Sequence, residues 1–285
     1  MRHSFAATLT LFAVAPLLAQ DKHTLRLKFV PGRVVHTMQK QDMSGDMGGG
    51  KQMNQAISMW TEAKIADVKD GVAVIEQTYR RMKATSNTPK VDYDSDVEGS
   101  KPGMLGPATK LVGEKITMKL DESSNLKDVA VPEDLADGLE RAGMNLKENF
   151  EHTVTAFPKD PIAIGETWTT SRQITMGQMG TMKTTVTNKL IDVKDDVVTI
   201  EQKVVMDEAG SKLTPGMKVE LTKAEGLAKI DLRTGLPIDM TSDMQMKMAG
   251  VMTMSIRSVT KEVEPPAAKP APKPEAPAPA TGTGK

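Results

Sequence analysis

The sequence predicts a mostly β protein, a β-rich α+β fold. Two related antiparallel halves form a curved sheet or half-barrel, or else a pair of sandwich-like lobes, with one amphipathic helix packed on it. Three observations predict this. Lys64–Gln77 (KIADVKDGVAVIEQ) returns as Lys189–Gln202 (KLIDVKDDVVTIEQ), identical at nine of fourteen positions with a constant offset of 125. A repeat of this length is a unit of architecture used twice. Elsewhere the apolar residues fall in short runs of strand length bounded by Gly, Pro, Asn and Asp. Only 132–154 places them at helical spacing.

Each copy of the repeat reads as a β-hairpin. Asp70-Gly71 and Asp195-Asp196 occupy the two central turn positions. A type I′ turn needs φ > 0 at both, which Gly adopts freely and Asp tolerates. Strand alternation then sets Val193 against Val198 and Ile191 against Ile200 on the apolar face. In the first copy Ala66 and Val68 lie opposite Ala73 and Ile75.

From the N-terminus, residues 1–20 read as a secretory signal peptide. Arg2 and His3 precede an apolar run from Phe5 to Ala19, and a cleavage region lies near Ala19 or Gln20. The run is short for a membrane span, and no other apolar stretch approaches that length. The expected localisation is therefore exported, in the periplasm or outside the cell. Cys is absent, which excludes disulfides, thiolate metal sites and a lipid-modified cysteine.

The first half, 21–157, begins with a short strand at Leu25–Phe29 and a turn at Pro31-Gly32. A strand over Val34–Met43 follows, then a glycine-rich loop over Ser44–Gly50. Met53–Ala63 feeds the first hairpin, whose outgoing arm runs to about Met82. Ala84–Ala108, poor in apolar residues, is an excursion across one end of the sheet. Leu111–Leu120 is a strand turned back at Asp121–Asn125. The helix over 132–154 carries Leu135, Leu139, Ala142, Leu146 and Phe150 on one stripe, weakened by Gly138 and Gly143.

The second half, 158–264, opens at Gly165-Glu166-Thr167-Trp168 much as Gly32-Arg33-Val34-Val35 opens the first. It continues through a turn near Gly177–Gly180 and the second hairpin to Met206, then a loop over Gly210–Gly216. Strands follow at Val219–Lys223, Leu227–Leu232, Ile238–Met248 and Val251–Val263. Residues 265–285 change to Pro, Ala and Lys and read as a disordered, polyproline-like tail.

Composition bounds function. Lys plus Arg and Asp plus Glu both number 37, so net charge predicts neither a nucleic-acid partner nor attachment to an anionic surface. Aromatics are 3% of the chain and methionines number 21, so burial falls to Val, Ile, Leu and Met. Met240, Met244, Met246, Met248, Met252 and Met254 share one parity and so one face of one or two strands. The plain reading is a methionine-rich core. The functional reading is a deformable lining for a flexible apolar ligand such as an acyl chain. A third reading is thioether binding of Cu(I), with Met43, Met47 and Met53 in one loop and Met176, Met179 and Met182 near a turn.

The remaining motifs are weak. Gly45–Lys51 matches a phosphate loop in spacing, but Gln52 follows the lysine and no helix begins there. Asp92, Asp94, Asp96 and Glu98 alternate, yet Val97 and Gly103 stand where a calcium loop wants Gly and Glu. His3, His23, His36 and His152 are scattered, with no zinc or nucleophile spacing. The chain is expected to be no enzyme, with no cofactor and no metal.

Tyr93-Asp94-Ser95, Leu111-Val112-Gly113-Glu114-Lys115-Ile116, Pro158–Pro161 with Ile164-Gly165-Glu166-Thr167-Trp168, and the two Asp-Val-Lys-Asp hairpins stand out as a set. Together they resemble an uncharacterised family of exported bacterial envelope proteins, a domain of unknown function, over about Leu25–Glu264. The resemblance implies a β-rich envelope protein and no catalytic residues. The leading expectation is non-catalytic binding of a lipid or other apolar or amphiphilic ligand in the cell envelope. The alternative is a structural or interaction module whose tail contacts the cell wall or an envelope protein. The outsider is a Cu(I)-binding protein.

Overall fold

The computed structural model describes residues 21–46, 48–141, 146–175, 180–216, 218–248 and 252–265. The expected leader and the tail from 266 onward lie outside the described residues. The strands are β1 (Lys22–His23), β2 (Val34–Asp46), β3 (Gln52–Lys69), β4 (Val72–Asn87), β5 (Lys90–Asp94), β6 (Lys115–Asp121) and β7 (Leu126–Ala130). They continue as β8 (Ile162–Ala163), β9 (Thr167–Thr175), β10 (Gly180–Lys194), β11 (Val197–Leu213), β12 (Val219–Asp231), β13 (Leu236–Met248) and β14 (Met252–Glu262). The helices are α1 (Gly106–Thr109), α2 (Glu133–Arg141) and α3 (Leu146–Thr153).

All pairings between these strands are antiparallel. Twelve strands form one sheet in the order β7-β6-β4-β3-β2-β14-β13-β12-β11-β10-β9, with β5 beside β4. β1 and β8 pair separately. The order contains two five-strand runs, β7 to β2 and β13 to β9, joined through β14. The strands of both repeats thus lie in one continuous sheet, which replaces the pair of lobes among the expectations. Flat, its eleven-strand path would measure about 50 Å across. Yet α3 packs against both edge strands, β7 and β9. A helix is only about 10 Å wide, so the sheet curls until its edges flank one helix, without joining by hydrogen bonds.

The repeated hairpins agree in detail. Asp70 and Gly71 have φ of 50° and 73°, and Asp195 and Asp196 have 51° and 61°, the type I′ pattern. Each hairpin carries a bulge at the same place, Ala66 in one and Ile191 in the other. The bulge corrects the expected register. Val193 does face Val198, but Leu190 rather than Ile191 faces Ile200, and Ile65 rather than Ala66 faces Ile75. An extra residue on one strand reverses the facing of everything beyond it. Ile65, Ala73 and Ile75 match Leu190, Val198 and Ile200, all six almost fully buried. The approach to each hairpin also matches. Gly32 N–H donates to Ile65 O and Ile65 N–H to Arg33 O; Gly165 N–H donates to Leu190 O and Leu190 N–H to Glu166 O.

Other expectations need correction. Two helices, α2 and α3, occupy the stretch read as one, with 142–145 outside the described residues. Gly143 and Asn145 between them are residue types that favour helix ends. Leu135, Leu139 and Phe150 are buried in a cluster with Ile65, Ile75 and Ile116. Leu25–Phe29 is not a strand. It crosses the sheet end, with Leu27 N–H donating to Glu122 O and Lys28 N–H to Leu232 O. Those single bonds run to two different turns and stand in place of a ladder. The two strands expected between Val219 and Leu232 are one, β12, bulged at Thr222. The polar excursion holds β5 and α1, β7 follows the turn at 121–125, and β11 runs past Met206 to Leu213.

Candidate functional site

The inner face of the curled sheet is layered along the strands. One end carries the β3–β4, β6–β7, β10–β11 and β12–β13 turns. Here aliphatic clusters fill the space. One gathers around Ile65, Ile75, Ile116 and Leu139, the other around Leu190, Val198, Ile200 and Ile230. Leu25 and Leu27 of the crossing segment are buried, and Phe29 packs against both clusters. This end is closed.

A belt of polar side chains crosses the inner face next. Thr37 and Thr61 share a hydrogen bond between their hydroxyls at 2.7 Å. Gln202 donates from Nε2 to Asn188 Oδ1 at 2.8 Å and to Thr155 Oγ1 at 3.2 Å. Thr184, Asn188, Ser258 and Thr260 are buried. Gln39 lies opposite Thr260 and Gln41 opposite Ser258, both half-buried. Sequence reasoning passed over this belt. Its signal was polar residues at inward parity inside otherwise apolar strands, which reads from sequence alone as a two-sided polar strand.

The far end holds the methionines. Met182, Val219, Met246 and Met248 are buried together, with Met206, Met244, Met252 and Met254 half-buried against them. Five of the six methionines predicted to share a face therefore meet in one cluster. Met240 does not; it packs against the second aliphatic cluster, beyond the belt. The segregation is sharp. Methionine supplies three of the four buried members here, one of eleven in the first aliphatic cluster and none of ten in the second. Met47, Met176 and Met179 lie outside the described residues.

Two further spaces have linings of mixed polar and apolar side chains. A groove of about 410 Å³ crosses β12, β13, β14, β2, β3 and β4, lined by side chains including Asp42, Asn54, Lys223, Asp243 and Arg257. A gap of about 260 Å³ lies where α3 separates the sheet edges, lined by Ser124, Asn125, Glu151 and Arg172 among others. Hydrogen bonds stitch this seam. Arg172 donates to Val154 O at 2.9 Å, Trp168 Nε1 to Ala156 O at 2.8 Å, and Thr175 N–H to Glu148 Oε1. Burial lowers the pKa of Arg172.

The motifs that carried the resemblance have structural duties. Asp94 accepts from Arg81 at 2.7 and 3.1 Å and pairs with Lys83 at 2.9 Å. The Arg81 hydrogen bonds hold its carboxyl well below the usual range. Asp96 pairs with Arg81 at 3.1 Å, so Asp94 and Asp96 belong to one ion-pair network. Arg81 in turn lies over Trp60, 5.2 Å from the ring centre. Ser95 N–H donates to Met82 O, and Ser95 Oγ accepts from Met82 N–H. Burial pushes the Tyr79 phenol up to about 12. Among the described residues no group of three His, Cys, Asp or Glu side chains is placed to hold a metal ion, and no helix is long and apolar enough to cross a membrane.

A family model described as a family of unknown function, DUF6263, matches residues 140–237. No curated protein gives a match. Among solved structures, one titled for lipid–protein interactions in lipovitellin aligns with 86% of this chain at 11% identity and a TM-score of 0.49. This chain spans 27% of that one. Rv2717c from M. tuberculosis aligns over 79% of this chain and 91% of its own, at 11% identity and a TM-score of 0.27. DynF from Micromonospora chersina aligns over 93% and 94%, at 9% identity and a TM-score of 0.21.

Proposed function

We propose that this protein is an exported, non-catalytic binder of an apolar or amphiphilic ligand, built from a tandem copy of one β module. The observation that carries the reading is the layering of the inner face. A well-packed aliphatic core supports one end, and the opposite end is lined by methionines, four of them half-buried. Unbranched thioether side chains repack around a flexible chain at little cost. The adjacent belt offers Gln39, Gln41 and Ser258 as partners for a polar head. The leader-like residues 1–20 support export. The matching turns, bulges and glycine contacts of the two hairpins support the tandem copy.

The test is direct. The full mature chain is purified without detergent, its bound small molecules are identified by mass spectrometry, and the stripped chain is titrated with a fluorescent fatty acid. The expected result is a co-purifying acyl lipid or saturable probe uptake. A folded chain that carries no lipid and takes up no probe overturns the reading.

A further inference from the structure

The methionine end has a second chemistry, independent of the apolar-ligand reading. β13 and β14 are joined by a short connection, and their register sets Met246 directly opposite Met254 and Met248 directly opposite Met252. Directly opposed residues have Cβ atoms about 5 Å apart, and successive inward residues of a strand lie about 7 Å apart. The four Cβ atoms therefore mark a compact square on one face of one hairpin, from which unbranched thioether side chains are long enough to reach a common point. Met244 extends the row on the same strand, and Met182 and Met206 join the cluster from β10 and β11.

We propose that this square is a binding site for a soft monovalent cation, Cu(I) or Ag(I). Thioether sulfur is a soft donor that selects such ions over Zn²⁺, Mg²⁺ or Ca²⁺. The donor set is also neutral and set among apolar side chains, with Met246 and Met248 only 6% and 7% exposed. Burying a charge there without a counter-charge is costly, and the cost rises steeply with the charge on the ion. A single positive charge satisfied by several polarizable sulfurs fits; a double charge does not. The charged neighbours Asp243, Lys247 and Arg257 have the opposite parity and project to the other face. Binding forms sulfur–metal bonds and transfers no electron, so the ion must arrive already in its monovalent state.

The experiment uses the full mature chain with methyl-labelled methionine. Ag(I), which is redox-inert, is titrated by NMR, and Cu(I) is titrated in reductant against a competing chelator. Saturable binding is expected, with shifted methyl signals for Met246, Met248, Met252 and Met254 and unshifted signals for Met118 and Met240. The double variant Met246→Leu/Met254→Leu keeps the apolar volume and is expected to unfold within a few degrees of the parent. It should bind the ion more than about 100-fold more weakly, since ligand loss exceeds the effect of outer-sphere changes. The parent chain is titrated with the fluorescent fatty acid in parallel: saturable ion binding by a chain that takes up no probe supports this proposal while overturning the apolar-ligand reading, and probe uptake without ion binding does the reverse. No saturable Ag(I) or Cu(I) binding by the parent, or undiminished binding by the folded double variant, overturns it.

Discussion

Asp231 ties two parts of the chain together. Its side chain is 1% exposed, and it accepts from Arg33 at 2.7 Å and from Arg233 at 2.9 and 3.0 Å. The Arg233 N–H adds a fourth bond at 2.9 Å. The carboxylate thus locks the β12–β13 turn to the segment that closes the aliphatic end. Burial alone would raise its pKa, but the Arg233 side chain and N–H, with the Arg33 charge, outweigh it and hold the pKa below the ordinary value of 3.8. A depressed folded pKa contributes stability that is complete above the unfolded value and lost as pH falls through the folded one. Asp231→Asn should therefore cost about 3 kcal/mol at neutral pH, the bottom of the range for a broken buried pair, because both arginines are partly exposed. Urea unfolding at pH 7 and again below pH 3.8 measures this, and the gap between parent and variant should narrow in acid. An equal gap at both values would assign the loss to packing rather than charge.

At the level of elements, the two hairpins show what a sequence discloses. Turn type followed from Asp70-Gly71 and Asp195-Asp196 because positive φ selects few residues. The bulges did not, since Ala66 and Ile191 carry no local mark of being extra. Ile191 looked like a core residue and is 37% exposed, while Leu190 took its place. The methionine face was legible in β13 and β14 because neither strand is bulged against the other. The polar belt was not, because Thr37, Gln39, Gln41, Asn188 and Gln202 at inward parity look in sequence like the solvent face of a strand. Two substitutions test the hairpins. Gly71→Ala puts a Cβ at φ of 73° within 3.1 Å of the Glu122 carboxylate and should cost about 1–2 kcal/mol by chemical denaturation. Ile75→Ala and Ile200→Ala, at equivalent fully buried positions, should each cost about 2–5 kcal/mol.

Across the whole molecule, the single sheet makes a claim about cooperativity. The strands around the two hairpins are tied by the β14–β2 ladder, by the crossing segment whose Phe29 touches both aliphatic clusters, and by a helix between the sheet edges. Ile75→Ala in one half and Ile200→Ala in the other should therefore lower the same single unfolding transition. Two separable transitions, each responding to one variant, would restore the picture of independent lobes. The repeat and the short apolar runs of strand length made the fold class readable from sequence. The order of the sheet was not, because nothing local in β2 or β14 announces that the chain's first long strand pairs with its last.

The central claim is that the methionine end of the inner face receives an apolar ligand while the aliphatic end serves as core. The measurement that bears on it most directly is a fluorescent fatty-acid titration of the parent chain, Met254→Gln at the methionine end, and Met118→Leu in the first aliphatic cluster. The account predicts saturable binding by the parent and by Met118→Leu, and at least about tenfold weaker binding by folded Met254→Gln, the effect of placing one amide in an apolar site. Binding that is absent in the parent, or equal in all three, would contradict it.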